Sequence, residues 1–247
     1  TCYINDFSED YNFLKNFKKP EHFPNYITNS HHRKKKLIEC GVKEKHVLVY
    51  GSARFCPEWF EIFKEVTNCK INNTTSKTKV LYFVGIYNDQ VLEKKLVNFL
   101  SELNNIELTV KSHPRGIFSK KQTTNQKETN LIVDYNTPST KLIFENEIII
   151  GTFSSILIDA FILNKTVIYP KFLMDPNKIQ ILFAGKGFSI DCANNEEVSH
   201  AISKYKDNKT LYNHNNLEKF MIEHVYANRD KNNILNDYVE LLKPNSN

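Results

Sequence analysis

The chain has 247 residues, 40% of them hydrophobic, and a formal net charge of +5, so it is long enough to bury a sizeable core. It has no apolar run near the length of a membrane span and no signal-peptide pattern. Its five cysteines lack Cys-x-x-Cys spacing, which argues against zinc, and their odd number suits a reducing cytoplasm. We therefore expect a cytoplasmic protein without a metal site.

Basic residues are concentrated at positions 31–36. Such a run usually forms the solvated face of a helix. The alternative is contact with phosphate headgroups or an anionic lipid-linked acceptor, which would make the protein peripheral at the inner membrane surface. Nucleic-acid binding lacks support, because no helix-turn-helix, RNA-binding motif or interleaving of basic and aromatic residues accompanies the charge.

The hydrophobic pattern predicts strands that alternate with helices along the chain. The predicted elements are a strand at 45–50, a helix at 57–68, a polar linker at 70–78, a strand at 79–86, a helix at 89–104, a strand at 106–112, a loop at 116–130, a strand at 131–134, a helix at 138–146, a strand at 147–151, a helix at 154–164, strands at 166–169 and 188–191, and helices at 195–206 and 213–243. This repetition predicts an α/β fold, a Rossmann-like parallel sheet with helices on both faces.

The predicted strand at 106–112 leads into a polar cluster of five residues, Lys111, Ser112, His113, Pro114 and Arg115. Pro114 stops the strand because it has no N–H group and a fixed φ. Open α/β sheets bind ligands at the carboxyl ends of their strands, so this cluster is a candidate anion site. His113 is the strongest candidate, and Lys111 and Arg115 are weaker ones.

A second strand end follows about forty residues later, where Thr152, Ser154 and Ser155 lie between an apolar run and a helical pattern. Their hydroxyls and the backbone N–H groups of a helix N-terminus suit a phosphate. An isolated Ser-Ser before a helix is more often a simple N-cap, but the order and spacing of the two strand ends favour a ligand site. Gly85 ends an earlier strand and is either a tight turn or a phosphate contact.

The order Lys-x-His-Pro-Arg at 111–115, Gly-Thr-x-Ser-Ser-x-x-x-Asp-Ala at 151–160 and Leu-Asn-Lys-Thr-Val-Ile-Tyr at 163–169 resembles the nucleotide-binding half of GT-B glycosyltransferases. It looks most like bacterial capsule and surface-polysaccharide enzymes: the CMP-sialic acid and CMP-Kdo transferases, and the CDP-glycerol glycerophosphotransferases of teichoic acid synthesis. Residues 29–55 look like the stretch that closes the N-terminal domain in these families, and residues 79–87 look like the first strand of the C-terminal domain.

The resemblance spans about residues 25–240 and implies a domain organisation. The expected segments are the end of an N-terminal acceptor domain with the interdomain linker helix at 1–69, a nucleotide-binding Rossmann-like domain at 70–212, and C-terminal helices that cross back at 213–247. Ser52 and Arg54 would then lie at the interdomain cleft. Because GT-B enzymes are usually longer and the chain does not begin with Met, we expect most of the acceptor domain to lie outside it.

The resemblance also implies a reaction. The expected enzyme, or its donor-binding half, transfers a sugar from a CMP-activated donor to a growing surface polysaccharide or lipid-linked acceptor, without a further cofactor. A CDP-glycerol or CDP-ribitol polyol-phosphate transferase is the near alternative. His113 would hydrogen-bond or protonate a donor phosphate as its bond breaks. The chain has no Asp-x-Asp motif, so protein donors would have to stabilise the leaving group without a metal.

Two further classes stay open. A UDP-N-acetylglucosamine 2-epimerase shares the fold, although its expected run of active-site carboxylates is not visible. A non-catalytic GT-B-like module that positions a capsule assembly partner is the other.

In the sialyl and Kdo families the general base belongs to an acidic motif of the N-terminal domain, which has no match here. We therefore expect the chain to bind a nucleotide and to be inactive alone. Asp159 is assigned a packing role within its helix.

Overall fold

The structure is a computed structural model, and it describes residues 2–4, 25–67, 76–85, 87–113, 131–152, 155–174, 183–207 and 214–243. The chain divides into two compact units. The first is built from residues 1–68 and 214–247, and the second from residues 69–213.

In chain order the elements are β1 (Cys2–Ile4), β2 (Tyr26–Thr28), α1 (His31–Glu39), β3 (Val47–Val49), α2 (Pro57–Thr67), β4 (Thr78–Phe83), α3 (Gln90–Ser101), β5 (Ile106–Lys111), β6 (Leu131–Asp134), α4 (Ser139–Glu145), β7 (Ile148–Ile150), α5 (Ile156–Ile162), β8 (Thr166–Pro170), β9 (Ile190–Cys192), α6 (Asn195–Asp207), α7 (His214–His224) and α8 (Ile234–Leu242).

The first unit contains a three-stranded parallel sheet in the order β1-β2-β3. Ile27 of β2 pairs with Leu48 of β3, and α1 begins after Ser30, whose hydroxyl accepts a hydrogen bond from the Arg33 amide at 3.1 Å. Strands β1 and β2 have only three residues each. A window that short carries no readable alternation, so the hydrophobic pattern did not predict them.

The second unit contains a six-stranded, all-parallel sheet in the order β6-β5-β4-β7-β8-β9. Numbered within the sheet, this is 3-2-1-4-5-6, the Rossmann order. Helices α3 and α6 pack together over one face, and α4 and α5 pack together over the other. The predicted α/β class, with a parallel sheet between two helical layers, is confirmed.

The core of this unit alternates along its strands. Val80 and Tyr82 of β4 belong to the cluster formed with α3 and α6, and both are fully buried. Leu81 is also fully buried, and strand alternation places it on the opposite face. A strand buried on both faces reads as a continuous apolar run, which is why β4 and β7 were recognisable from sequence, whereas β5 was recognisable from its alternating Ile106, Leu108 and Val110.

The predicted helix at 213–243 is wrong as a continuous element, because the chain forms α7 and α8 with an interruption between them. Ala227 and Asn228 have φ angles of 56° and 57°, in the left-handed region that a helix cannot contain. The Asn228 amide donates to the Ile222 carbonyl at 2.8 Å and closes the end of α7. The predicted loop at 116–130 lies outside the described residues.

Gly51 marks a close approach in the first unit. A Cβ atom at this position would lie 2.6 Å from Cδ1 of Ile234, a fully buried residue, and 3.2 Å from the Tyr226 carbonyl oxygen. We predict that Gly51→Ala lowers the free energy of unfolding by about 1–3 kcal/mol through overpacking, measured by urea denaturation. In an Ile234→Ala background the same Gly51→Ala change should cost less, because the shorter side chain leaves the space open. Strictly additive effects of the two substitutions would contradict the assigned clash.

Candidate functional site

The sheet of the second unit reverses its order between β4 and β7. Strand β5 lies on one side of β4 and β7 on the other, so the carboxyl ends of β5, β4 and β7 are adjacent at one edge. In open α/β sheets the crevice at this reversal is where ligands bind. His113 follows β5, Gly85 follows β4, and Thr152 and Ser155 follow β7. The fold therefore brings these predicted site residues to the same edge.

A buried hydrogen-bond network joins the loops that follow β4 and β7. The Thr152 hydroxyl donates to Oδ1 of Asn88 at 2.6 Å, and Nδ2 of Asn88 donates to Oε1 of Glu93 at 2.6 Å. The same Oε1 accepts from the Gly85 amide at 3.0 Å and from the Tyr82 hydroxyl at 2.7 Å. Glu93 is 1% exposed. Burial and the neighbouring Glu93 charge raise the pKa of Tyr82 well above its ordinary value, so Tyr82 is the donor.

The turn between β4 and α3 is closed to anions. Its residue Gly85 already donates its amide to Glu93, and a Cβ there would lie 2.6 Å from Nδ2 of Asn88, so only glycine fits. Asp89 caps α3 by accepting hydrogen bonds from the amides of Val91 and Leu92 at 2.9 and 3.0 Å. Two carboxylates thus accept hydrogen bonds from three described amides in this turn and at the start of α3, and their charge opposes a phosphate.

The end of β5 presents His113 in a half-buried position next to Ser112, which is 7% exposed. The Ser112 hydroxyl donates weakly to the His113 carbonyl, at 3.4 Å. The Val84 amide donates to the Lys111 carbonyl at 3.1 Å and keeps β4 and β5 aligned up to the edge. The other two members of the predicted cluster, at positions 114 and 115 (Pro114 and Arg115), lie outside the described residues.

Lys111 forms an ion pair with a residue of the neighbouring strand β6. Its Nζ lies 3.1 Å from Oδ1 of Asp134 in β6, on the side of β5 away from β4, and the two side chains are 11% and 21% exposed. Burial raises the pKa of Asp134, but hydrogen bonds from Thr137 and Lys111 and the Lys111 charge outweigh it, and the pKa falls below its ordinary value. This pair stabilises the sheet edge and takes the ammonium away from the crevice.

The residues after β7 have different surroundings. Thr152 is 2% exposed and its hydroxyl is used by Asn88, so its side chain cannot also donate to a phosphate. Ser155 is half-buried, and its hydroxyl makes no capping bond within the described part of the chain. Ser154 lies outside the described residues. Asp159 is 2% exposed and accepts a hydrogen bond from the Thr140 hydroxyl at 3.1 Å, which fits the expected packing role.

Ser52 and Arg54 belong to the first unit. Ser52 is fully buried, and its amide donates to the Val225 carbonyl at 2.8 Å. Arg54 is exposed, and its guanidinium lies 5.0 Å from the ring centroid of Phe55. It also lines a mostly apolar cavity of about 450 Å³, together with Asn25, Ile27, Leu48, Ala53, Tyr238, Leu241 and Leu242.

The basic run at 31–36 forms most of α1, and it is less cationic than its sequence indicates. Arg33 is 2% exposed, Lys34 pairs with Glu44 at 3.0 Å and Lys36 pairs with Glu39 at 3.2 Å. Among the helices that the structure describes, none has the length and apolar character needed to cross a membrane. Across the same residues, no three His, Cys, Asp or Glu side chains are grouped to hold a metal ion.

Sequence reasoning missed Asn88 and Glu93. A signal for Glu93 was present, because Glu93, Leu96, Val97 and Leu100 share one face of α3 at helical spacing, and all four are buried. A glutamate at a core-facing position is expensive unless donors surround it, so it predicts a buried polar network. Asn88 lies in a turn, and nothing in the sequence indicates its partner Thr152, 64 positions away.

Similarity to solved structures supports the architecture. A variant of the wall teichoic acid polymerase TagF superposes with a TM-score of 0.57 at 12% identity, covering 88% of this chain and 57% of that one. The Methanocaldococcus jannaschii UDP-GlcNAc 2-epimerase in complex with UDP-GlcNAc and UDP gives 0.56 at 13% identity, covering 88% and 61%. A TagF variant soaked with CDPG gives 0.55 at 14% identity, covering 90% and 58%.

These identities show the fold alone, and the chain spans about three fifths of the structures it matches. The chain therefore has the GT-B type of fold that these proteins share. No protein-family model matches the sequence, and no curated protein has a significantly similar sequence.

We predict that Asp134→Asn removes stability at neutral pH. The lowered pKa of Asp134 means that its contribution is present above the unfolded value of about 3.9 and is lost as the pH falls through the folded value. Urea denaturation should show a loss of about 1–2 kcal/mol at pH 7 and a smaller difference at pH 3. The exposed pair Lys141 and Glu145 supplies the control Glu145→Gln, with little effect at either pH. An equal loss at both pH values would contradict the assignment.

Proposed function

We propose that the chain is the donor-binding part of a GT-B transferase that uses a cytidine-nucleotide-activated donor. The nucleotide phosphates would lie across the carboxyl ends of β5 and β7, held by His113 on one side and by the Thr152–Ser155 loop on the other. The transferred group would be a sugar or a polyol phosphate, and the acceptor a surface polysaccharide or a lipid-linked precursor. Transfer would need no metal ion.

The observation that carries this proposal is the distribution of charge along the crevice edge. A dinucleotide-binding Rossmann fold places its pyrophosphate at the first strand–helix turn, against free amides of the helix. Here that turn is the one between β4 and α3, where Asp89 accepts from two amides of the helix and Glu93 accepts from the Gly85 amide before it. An anion is therefore directed to the neighbouring strand ends, where His113 and Ser155 supply donors. This favours a nucleotide donor over a dinucleotide cofactor.

In this proposal, His113 supplies the proton donor that the departure of the nucleotide needs. An imidazole suits this role, because it can hydrogen-bond a phosphate oxygen and, when protonated, neutralise charge on the leaving nucleotide. Fixed donors aimed at that developing charge do the work that a metal does in other transferases. The base that deprotonates the acceptor would come from a part of the enzyme that this chain does not supply.

Two observations support a cytidine-nucleotide donor. The Lys-x-His-Pro-Arg and Gly-Thr-x-Ser-Ser motifs resemble those of cytidine-nucleotide transferases, and one of the similar solved structures was soaked with CDPG (CDP-glycerol). From a CDP-polyol the enzyme would transfer the polyol phosphate to the acceptor and release CMP. From a CMP-sugar it would transfer only the sugar and also release CMP. The second candidate function, UDP-GlcNAc 2-epimerisation, is favoured by the likeness to the epimerase.

We predict that CMP or CDP raises the melting temperature of the protein, that UDP and GDP raise it less, and that NAD leaves it unchanged. A ligand at 100 times its Kd adds about 2.7 kcal/mol, which is several degrees for a protein of this size. Differential scanning fluorimetry with and without EDTA measures this directly, and EDTA should not alter the shifts. Stronger stabilisation by UDP would reverse the base assignment, and conversion of UDP-GlcNAc would establish the epimerase class instead.

We predict that His113→Ala weakens nucleotide binding by about tenfold to hundredfold, the effect of losing one charge-assisted hydrogen bond of about 1.5–3 kcal/mol. The fold should persist, because His113 is half-buried at a strand end. Isothermal titration calorimetry with the best nucleotide is the measurement. The exposed His200 on α6 of the same unit supplies the control His200→Ala. A folded His113→Ala protein with unchanged affinity would remove His113 from the site.

A further inference from the structure

The Glu93 carboxylate is the main acceptor of the hydrogen-bond network at the sheet reversal. Gly85, Tyr82 and Asn88 all donate to its Oε1, and Thr152 donates to Asn88. Its other oxygen, Oε2, is buried and accepts no hydrogen bond from the described residues. An ionised carboxylate can only accept hydrogen bonds, so the direction of each bond in this network is fixed. The network therefore has one arrangement in which all of its donors are used.

We propose that Glu93 is a positioning residue for the donor site: through Asn88 it fixes Thr152, and through the Gly85 amide it fixes the loop after β4. Gly85 and Thr152 lie on opposite sides of the sheet reversal, where the proposed nucleotide would bind. The carboxylate thus sets the spacing of the two loops without touching a ligand. This inference rests on the proposed function for what the positioned loops bind.

Asn88 and Tyr82 have different roles in the network. Asn88 is the link, because its amide oxygen accepts from Thr152 while its amide nitrogen donates to Glu93. Removing it breaks the path between the two loops. Tyr82 lies within β4, and its hydroxyl donates to the same Oε1 and accepts a longer hydrogen bond from Nδ2 of Asn88 at 3.4 Å, beside the direct Asn88–Glu93 bond of 2.6 Å. Removing its hydroxyl lowers the number of donors and leaves the path intact.

The chemistry also identifies a substitution that should preserve function. In Glu93→Gln the amide oxygen can take the place of Oε1 and keep all three donors. The amide nitrogen would then occupy the place of Oε2, where no described group donates, and its two buried N–H groups would cost stability without breaking these three bonds. Loss of the negative charge changes the energy of the network but not its connections. A residue that acts by position should therefore tolerate glutamine, whereas leucine of similar size would leave three buried donors unsatisfied.

The test compares Asn88→Ala with Tyr82→Phe and Glu93→Gln by two measurements. The first is amide hydrogen exchange at Gly85 and at Gly151–Thr152 in the protein without nucleotide. Asn88→Ala should raise the exchange rates of the amides in both loops by about tenfold or more. In Tyr82→Phe and Glu93→Gln the protection of these amides, relative to the rest of the second unit, should stay as in the wild-type protein. The second is the Kd for the nucleotide that best stabilises the wild-type protein. Asn88→Ala should weaken it by about tenfold, and the other two variants by less than about threefold.

The two measurements keep this inference distinguishable from the proposed function. If the wild-type protein binds no nucleotide, the proposed function is wrong, and the exchange data still decide whether Glu93 positions the loops. If Asn88→Ala and Tyr82→Phe raise exchange equally, the network is only a source of stability and the inference is overturned. Unchanged affinity in Asn88→Ala would overturn it as well. Should Asn88→Ala fail to fold, Thr152→Val removes the same connection at nearly constant volume and is judged by the same criteria.

Discussion

The geometry of the candidate site depends on one buried carboxylate, that of Glu93 at the sheet reversal. A carboxylate that is 1% exposed is tolerated only when donors surround it, and three groups converge on its Oε1. This requirement accounts for the glycine at position 85, for the tight approach of Asn88 and for the buried hydroxyl of Thr152. The loops after β4 and β7 therefore have their shape because the helix between β4 and β5 carries an acid on its core-facing side.

The same carboxylate divides the crevice edge chemically. The turn after β4 is acidic and its donors are already used, while the ends of β5 and β7 carry an imidazole and hydroxyl groups. Lys111 does not add to the cationic side, because Asp134 holds its ammonium toward β6. His113 is thus the group at the end of β5 best suited to meet an anion. Among the described residues at this edge, hydrogen bonding decides which side chains face the crevice.

Much of the fold of the second unit was predictable, because strands buried on both faces read as apolar runs and β6 was located to the residue. Strands β1 and β2 of the first unit were too short for any periodicity to be read. The break after α7 depends on two non-glycine residues with positive φ angles, Ala227 and Asn228. At the site, the sequence indicated which strand ends matter. It could not indicate that Lys111 turns toward Asp134 or that Thr152 meets Asn88, because both pairs form only in the folded sheet.

Likeness of fold to both a polymerase and an epimerase leaves the reaction open, since one architecture supports several chemistries. The carboxylates near the crevice narrow the choice. Asp89 caps α3, Glu93 is enclosed by the network and Asp134 is paired with Lys111, so none of these three is placed to exchange protons with a sugar. An epimerase needs such carboxylates at the reacting carbon. A transferase needs on this side only donors for the leaving nucleotide, and His113 with Ser155 can supply them. For the proposed transfer, the described residues of the crevice therefore supply hydrogen-bond donors rather than a pair of carboxylates.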